Sequence, residues 1–160
     1  MARRLPDHLQ LPDHGVKTKH GPDGLLVFDP ARRMWVRWTP EEWVRQHFLN
    51  YLVHDLGCPL SLIAMERKLV LNGLTKRFDM LVHGTDGKPL ALVECKAPNV
   101  DLDQGAFDQA ARYNKVVQVP LLIVTNGLRH FACFVDRSTG SWSFLDHLPD
   151  HDRMMAFGKA

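Results

Sequence analysis

The chain of 160 residues is long enough to bury the core of one domain, and 45% hydrophobic and 24% charged residues are typical of a globular protein. A net charge of +2 excludes binding to nucleic acid through bulk charge, so any such binding needs a local basic surface. The longest apolar run, about eight residues, is too short to span a bilayer and the N-terminus lacks the apolar stretch of a signal peptide, so we expect a cytoplasmic protein without a membrane segment.

The three cysteines are far apart in the sequence and form no C-x-x-C pair, which gives no sign of a zinc ribbon or a redox motif. Cys95 and Cys133 lie in apolar runs that read as strands. Buried free thiols in a reducing compartment account for this pattern.

The N-terminal region, residues 1–38, is predicted to be a lead-in followed by a short hairpin. Residues 1–24 are rich in Pro, Asp, His and Gly and show no periodicity, which favours an extended segment. The tetrapeptide Leu-Pro-Asp-His occurs at residues 5–8, 11–14 and 148–151. Turn formation and a histidine metal site both remain open as interpretations of this repeat.

The remaining residues, 39–160, are predicted to form the main globular unit. This unit follows the hairpin, whose two strands are expected over residues 24–29 and 33–38, and it begins with a helix over residues 39–56. Thr39 is a good N-cap, Pro40 suits the first helical position, and Glu42 completes a capping box.

Alternating strands and helices are expected in the rest of the chain. Asn72-Gly73 and Asp86-Gly87 are turn signals, so the three strands that they join should be antiparallel neighbours. A crossover helix then implies a parallel strand pair, which predicts an α/β fold with a mixed central sheet flanked by helices. The expected elements are a short turn or helix over residues 59–64, strands over 66–71, 75–83 and 89–95, a helix over 100–117, and strands over 120–125, 129–135 and 141–145.

Charged residues interrupt two of these apolar strands. Asp79 lies within one, and Glu94 and Lys96 close the next. Because side chains alternate along a strand, Glu94 and Lys96 should point to the same side and Cys95 to the other. Buried charges need a partner or a metal, and two carboxylates can hold a divalent cation beside a lysine that positions water. The sequence therefore predicts a site at Asp79, Glu94 and Lys96.

This Asp…Glu-x-Lys arrangement resembles the PD-(D/E)xK nuclease pattern. Gln109-Ala110-Ala111-Arg112-Tyr113 fits the Q-x-x-x-Y motif of RecB-type nucleases. Glu42 near the start of a helix upstream follows the order of motifs in that family. The run from residue 39 to residue 127 resembles the N-terminal nuclease domain of type I restriction enzyme R subunits, in a short stand-alone bacterial form.

The resemblance implies a restriction-endonuclease-like core and assigns roles to the site residues. Asp79, Glu94 and the backbone carbonyl of Cys95 would bind Mg²⁺ or Mn²⁺, with Glu42 as a further ligand and Glu66 as its rival. Lys96 would act on the water and the phosphate. The supporting residue would be Gln109, and DNA contacts are expected from Arg45, Arg112 and Tyr113.

Each assignment has a structural alternative in the sequence. Asp79 could be a hydrogen-bonded strand aspartate, Glu94 an ion-pair partner of Lys96, and Glu42 only a helix cap. The same holds for the DNA-binding residues: Arg45 and Arg112 could be ordinary surface arginines of a helix, and Tyr113 a half-buried packing residue.

The expected activity is metal-dependent hydrolysis of DNA. A DNA-binding or assembly module without turnover and a nuclease for RNA are the alternatives. DNA, restriction-system partner subunits and a second copy of the chain are the expected partners. The chain contains no G-x-x-x-x-G-K-[ST] motif, so ATP-driven translocation would have to come from a partner.

Overall fold

The computed structural model describes residues 8–71, 73–136 and 138–159, with the side chains of residues 69, 71, 74, 76 and 113–117 outside the description. A 3₁₀ turn at Leu60–Leu62 follows the first helix, as the sequence predicted. The main elements are β1 (Thr18–Gly21), β2 (Gly24–Asp29), β3 (Met34–Arg37), α1 (Pro40–His54), β4 (Ile63–Leu71), β5 (Leu74–His83), β6 (Pro89–Cys95), α2 (Gln104–Val117), β7 (Leu121–Thr125), β8 (His130–Val135), β9 (Trp142–Phe144) and α3 (His151–Gly158).

A six-stranded mixed sheet forms the centre of the molecule, and its strands follow the chain in the order β4-β5-β6-β7-β8-β9. Neighbours are antiparallel except β6 and β7, which pair in parallel after the α2 crossover. All five residues of β7 are buried, as expected for a central strand covered on both faces. The predicted α/β fold with a mixed central sheet is therefore confirmed.

Each face of the sheet packs against helices. On one face, the Phe48 and Leu52 side chains of α1 and Met154 of α3 join the largest apolar cluster. On the other face, Phe107 and Ala110 of α2 pack in a second cluster. Successive residues of β6 alternate between these clusters, since Leu92 belongs to the second and Val93 to the first. This alternation decides which helix each charged residue at the strand end can reach.

The N-terminal region contains a strand that the sequence did not predict. Thr18–Gly21 pairs with β2, so the expected hairpin is a three-stranded sheet, and the lead-in is not wholly irregular. Pairing with β2 supplies the order that this polar segment lacks in its own pattern. Leu9 is buried in the main apolar cluster and the backbone of Gln10 bonds to Gly127, so this region packs on the larger sheet.

Helix ends follow the capping signals. The Thr39 side chain accepts from the Glu42 backbone N–H, as predicted. The second helix begins at Gln104, four residues later than expected, and Asp103 accepts from the Ala106 backbone N–H as its cap.

The sequence interpretation missed α3, where Asp150 caps the first turn. Asp13 likewise accepts from the Gly15 backbone N–H, which agrees with the turn interpretation of the Leu-Pro-Asp-His repeat. No helix within the described residues is long and apolar enough to cross a membrane.

Candidate active site

The predicted charged residues converge at one end of β5 and β6. Asp79 and Glu94 are both buried, at 7% exposure each. The Asp79 Oδ2 atom accepts a hydrogen bond of 2.7 Å from the Cys95 backbone N–H, which joins the two strands at the site. The Lys96 Nζ atom lies 3.5 Å from Glu94 Oε1 and donates to Gln109 Oε1 over 3.3 Å. Asp79, Glu94 and Lys96 therefore lie together at these strand ends, and the roles assigned to them stay predictions.

Strand alternation positions these side chains as expected. Glu94 and Lys96 point to the face that carries α2, which is why Gln109 on that helix reaches Lys96. Cys95 points to the opposite face and is fully buried in the cluster with α1. Burial raises the pKa of the Cys95 thiol well above its usual value, so the thiol is a neutral core group. Only the Cys95 backbone remains available to the site.

Arg45 of α1 is the centre of an ion-pair network. Its Nε and Nη2 atoms donate to Asp79 Oδ1 at 3.0 and 2.6 Å. The guanidinium also contacts three glutamates: Glu42, Glu41 at 3.1 Å and Glu66 at 3.2 Å. Burial alone would lower the pKa of Arg45, but the carboxylates of Asp79 and Glu42 outweigh this effect and raise it. Arg45 is therefore a permanently charged group inside the site.

This placement corrects the prediction that Arg45 contacts a DNA phosphate. Its exposure is 6%, and its donors already point at carboxylates. The alternative of an ordinary surface arginine is also wrong. A helix pattern cannot reveal such burial, because two of the partners, Glu66 and Asp79, come from β4 and β5.

The sequence predicted that either Glu42 or Glu66 would join the site, but both of them contact Arg45. Glu42 is buried and accepts from Arg45, Gln46 and Arg32, so its carboxylate has a role beyond the helix cap. Glu66 also contacts this guanidinium. Its backbone φ of 51° is a strained conformation for a residue other than glycine. Both glutamates lie within the Arg45 network, so proximity to Arg45 does not separate them.

Glu41 is the glutamate that the sequence interpretation missed. Its pKa is raised, mainly by burial and then by the charge of Asp79, although Arg45 and Lys96 act in the opposite direction. The charge of Glu41 also contributes to raising the pKa of Glu94. The available signal was the adjacent Glu41-Glu42 pair, four and three residues before Arg45 on one helix.

Glu94 carries the least satisfied charge of the site. Its Oε2 atom is buried and has no hydrogen-bond partner among the described residues. Burial, followed by the repulsion of Asp79, raises the pKa of Glu94 to about 7, although Lys96 acts in the opposite direction. Such an uncompensated buried carboxylate is costly, and a cation beside it would remove the cost.

The donor set fits a divalent cation of the magnesium type. Among the described residues, no group of three or more His, Cys, Asp or Glu side chains is arranged to hold a metal ion. Mg²⁺ normally uses only one or two carboxylates, together with water and substrate phosphate. Asp79, Glu94 and the Cys95 carbonyl match that smaller set, and the unpartnered Glu94 oxygen is the atom that would bind.

The remaining predicted residues lie on α2. Gln109 joins the site through Lys96, as the Q-x-x-x-Y motif suggested. Arg112 is exposed, as a residue that contacts phosphate must be, but the structure brings no ligand to it. Tyr113 was predicted to contact DNA, and its side chain lies outside the described residues.

Comparisons with known proteins give one family. Residues 40–149 match the family model described as type I restriction enzyme R protein N terminus (HSDR_N). The fragment structure of a putative HsdR subunit of a type I restriction enzyme from Vibrio vulnificus YJ016 is similar in fold, with a TM-score of 0.50 and 24% identity. The similarity covers 68% of this chain and 23% of that one. No curated protein matches the chain.

Proposed function

Because this chain belongs to the family of type I restriction enzyme R protein N termini, we propose that it is a nuclease of the PD-(D/E)xK type that hydrolyses DNA phosphodiester bonds with Mg²⁺. The observation that carries the proposal is the buried Glu94 oxygen without a partner, between Asp79 and the Lys96–Gln109 pair. A structural ion-pair cluster would satisfy that oxygen.

We assign different roles in the reaction to different residues of the site. Asp79, Glu94 and the Cys95 carbonyl would hold Mg²⁺, with Glu41 or Glu42 as an additional carboxylate. The ion, when bound, polarises the scissile phosphate and lowers the pKa of its water. The Lys96 ammonium group lies between the Glu94 and Gln109 oxygens, where it can orient the attacking water and offset negative charge on the phosphate.

Second contacts hold these groups in place. Gln109 fixes the Lys96 ammonium from α2, and Arg45 fixes the Asp79 carboxylate from α1. The site is therefore braced from both faces of the sheet, which preorganises the two strand ends.

The proposed setting is a DNA-restriction system in the cytoplasm. DNA is the proposed substrate, and restriction-system subunits or a second copy of the chain are the proposed partners. This chain spans about a quarter of the length of the HsdR fragment that it resembles.

A plasmid cleavage assay with Mg²⁺ or Mn²⁺ tests the function. We expect cutting that EDTA stops and that falls about 100-fold or more in Lys96→Ala, the typical effect of removing one electrostatic contact to a transition state. Lys88→Ala is the matched control, since Lys88 is an exposed lysine at the opposite end of β6.

Three results would contradict the proposal in different ways. Wild-type protein that binds DNA but never cuts it would favour a binding or assembly module. Cutting of RNA with DNA left intact would reassign the substrate. Equal activity of Lys96→Ala and Lys88→Ala would remove Lys96 from the site.

A further inference from the structure

The paired strands β4 and β5 extend beyond the sheet as a two-stranded arm, which we define by the described residues 67–71 and 73–78. Within it, Arg67 pairs with Phe78 and Leu71 with Leu74. The pairing of β5 with β6 covers only Met80–His83. The arm therefore begins at the point on β5 where Asp79 enters the site, and its five paired positions span on the order of 15 Å.

The arm is strongly basic in a chain with almost no net charge. Residues 67–78 contain four basic residues and no acidic ones. The side chains of Arg67, Lys68 and Arg77 are exposed. Lys68 lies directly opposite Arg77 in the ladder, and like charges at such a position destabilise a strand pair. Folding of the arm does not account for this pair, whereas an anionic ligand would.

One face of the arm leads directly to the candidate active site. The Arg77 Nη1 atom is 3.3 Å from Glu66 Oε2, and Glu66 contacts Arg45 inside the site. Arg67 lies on the other face of the arm, because it is adjacent to Lys68 in sequence.

We propose that the Lys68–Arg77 face of this arm binds the phosphate backbone of duplex DNA next to the bond that is cut. The inference rests on the proposed nuclease function for the identity of the ligand. A two-stranded ribbon fits the major groove of B-form DNA, and two exposed cations on one face can each contact a backbone phosphate. The Lys68–Arg77 pair, which Glu66 links to Arg45 in the site, would hold the strand where it leaves the scissile phosphate.

Binding of a labelled DNA duplex, measured by fluorescence anisotropy in EDTA across a range of salt, separates this contact from cleavage. In Lys68→Gln/Arg77→Gln we expect the slope of log affinity against log salt to fall by about 2, because each phosphate contact contributes about 0.9. At low salt, the affinity should fall by about tenfold or more.

Two controls match this variant. Lys88→Gln/Lys159→Gln removes the same charge at a remote site, beside an open cavity that both lysines line. Arg67→Gln removes one charge from the opposite face of the arm. Both should keep the wild-type salt slope. Lys68→Gln alone disturbs no ion pair described here, and its slope should fall by about 1 even if the double variant does not fold.

The outcomes distinguish this proposal from the nuclease proposal. An unchanged slope in both arm variants, or equal losses in the controls, would overturn the arm contact and leave the nuclease assignment intact. DNA binding that depends on the arm, without any cleavage, would support the arm contact and contradict the nuclease proposal. Duplex RNA that displaces the DNA at equal concentration would overturn the assignment of DNA, and absence of binding by the wild-type protein would overturn the arm contact.

Discussion

The two sides of the site satisfy their charges in opposite ways. On the α1 side, Asp79 receives two hydrogen bonds from Arg45 and one from the Cys95 backbone, so its charge is fully compensated by the chain itself. On the α2 side, Glu94 has a single long contact with Lys96 and one buried oxygen without a described partner. The poorly compensated negative charge of the site is therefore concentrated on Glu94, whereas Arg45 holds the Asp79 carboxylate in place.

The largest expected effect comes from breaking the α1 side. Arg45→Met leaves the carboxylates of Asp79 and Glu42 buried without their cation, which typically costs about 3–5 kcal/mol of unfolding free energy. Urea denaturation in EDTA measures the loss. Arg112→Met is the control, since an exposed helix arginine should change stability by less than about 0.5 kcal/mol.

Replacing each carboxylate by a neutral amide should have different effects on the free energy of unfolding at Asp79 and at Glu94. Asp79→Asn weakens the bonds to Arg45 and Cys95 and should cost about 1–3 kcal/mol. Glu94→Gln removes a buried, poorly compensated charge and should leave metal-free protein as stable as wild type or more so at pH 8. Urea denaturation in EDTA measures both variants. The same loss in both would show that the two sides do not differ.

Part of this contrast was predictable from the sequence and part was not. Strand alternation and strand ends are local properties, so the convergence of Asp79, Glu94 and Lys96 followed from the pattern. Gln109 was assigned to the site by the family resemblance and not by a local pattern, and the structure places its side chain against Lys96. Burial of Arg45 depends on which strand faces α1, which a single helix pattern does not contain.

The other misses have the same cause. Thr18–Gly21 becomes a strand only because β2 offers an edge to pair with. The last helix is short, and Met154 stabilises it by packing in the main core. In both places a tertiary contact outweighed weak local preference.

The pH dependence of the free energy of unfolding should depend on the protonation of Glu94, on the α2 side of the site. Burial raises the pKa of Glu94 to about 7 in the folded protein, whereas the unfolded chain has the ordinary pKa of 4.5. Between these values the folded state binds more protons, so stability of the metal-free protein falls as pH rises. Urea denaturation at a series of pH values in EDTA should show this decline in wild type and a reduced one in Glu94→Gln. A decline that persists unchanged in the variant would place its origin elsewhere.

The smallest expected effect separates the glutamates of α1. Glu41→Gln should weaken Mg²⁺ binding about threefold, because Glu41 is half exposed and acts on Asp79 and Glu94 only through charge. Titration calorimetry measures the affinity. Glu42→Gln is the comparison, and a larger loss of affinity in that variant would make Glu42 the additional ligand instead.

Thermal unfolding with increasing Mg²⁺ tests the central claim most directly, because a ligand that binds only the folded state raises the melting temperature with its concentration. We predict a rise in the wild-type protein that continues with the logarithm of Mg²⁺ concentration and that disappears in Glu94→Gln. Lys96→Ala should keep the rise or increase it, since the variant removes a positive charge beside the ion. An equal rise in wild type and Glu94→Gln would contradict a cation site at Glu94.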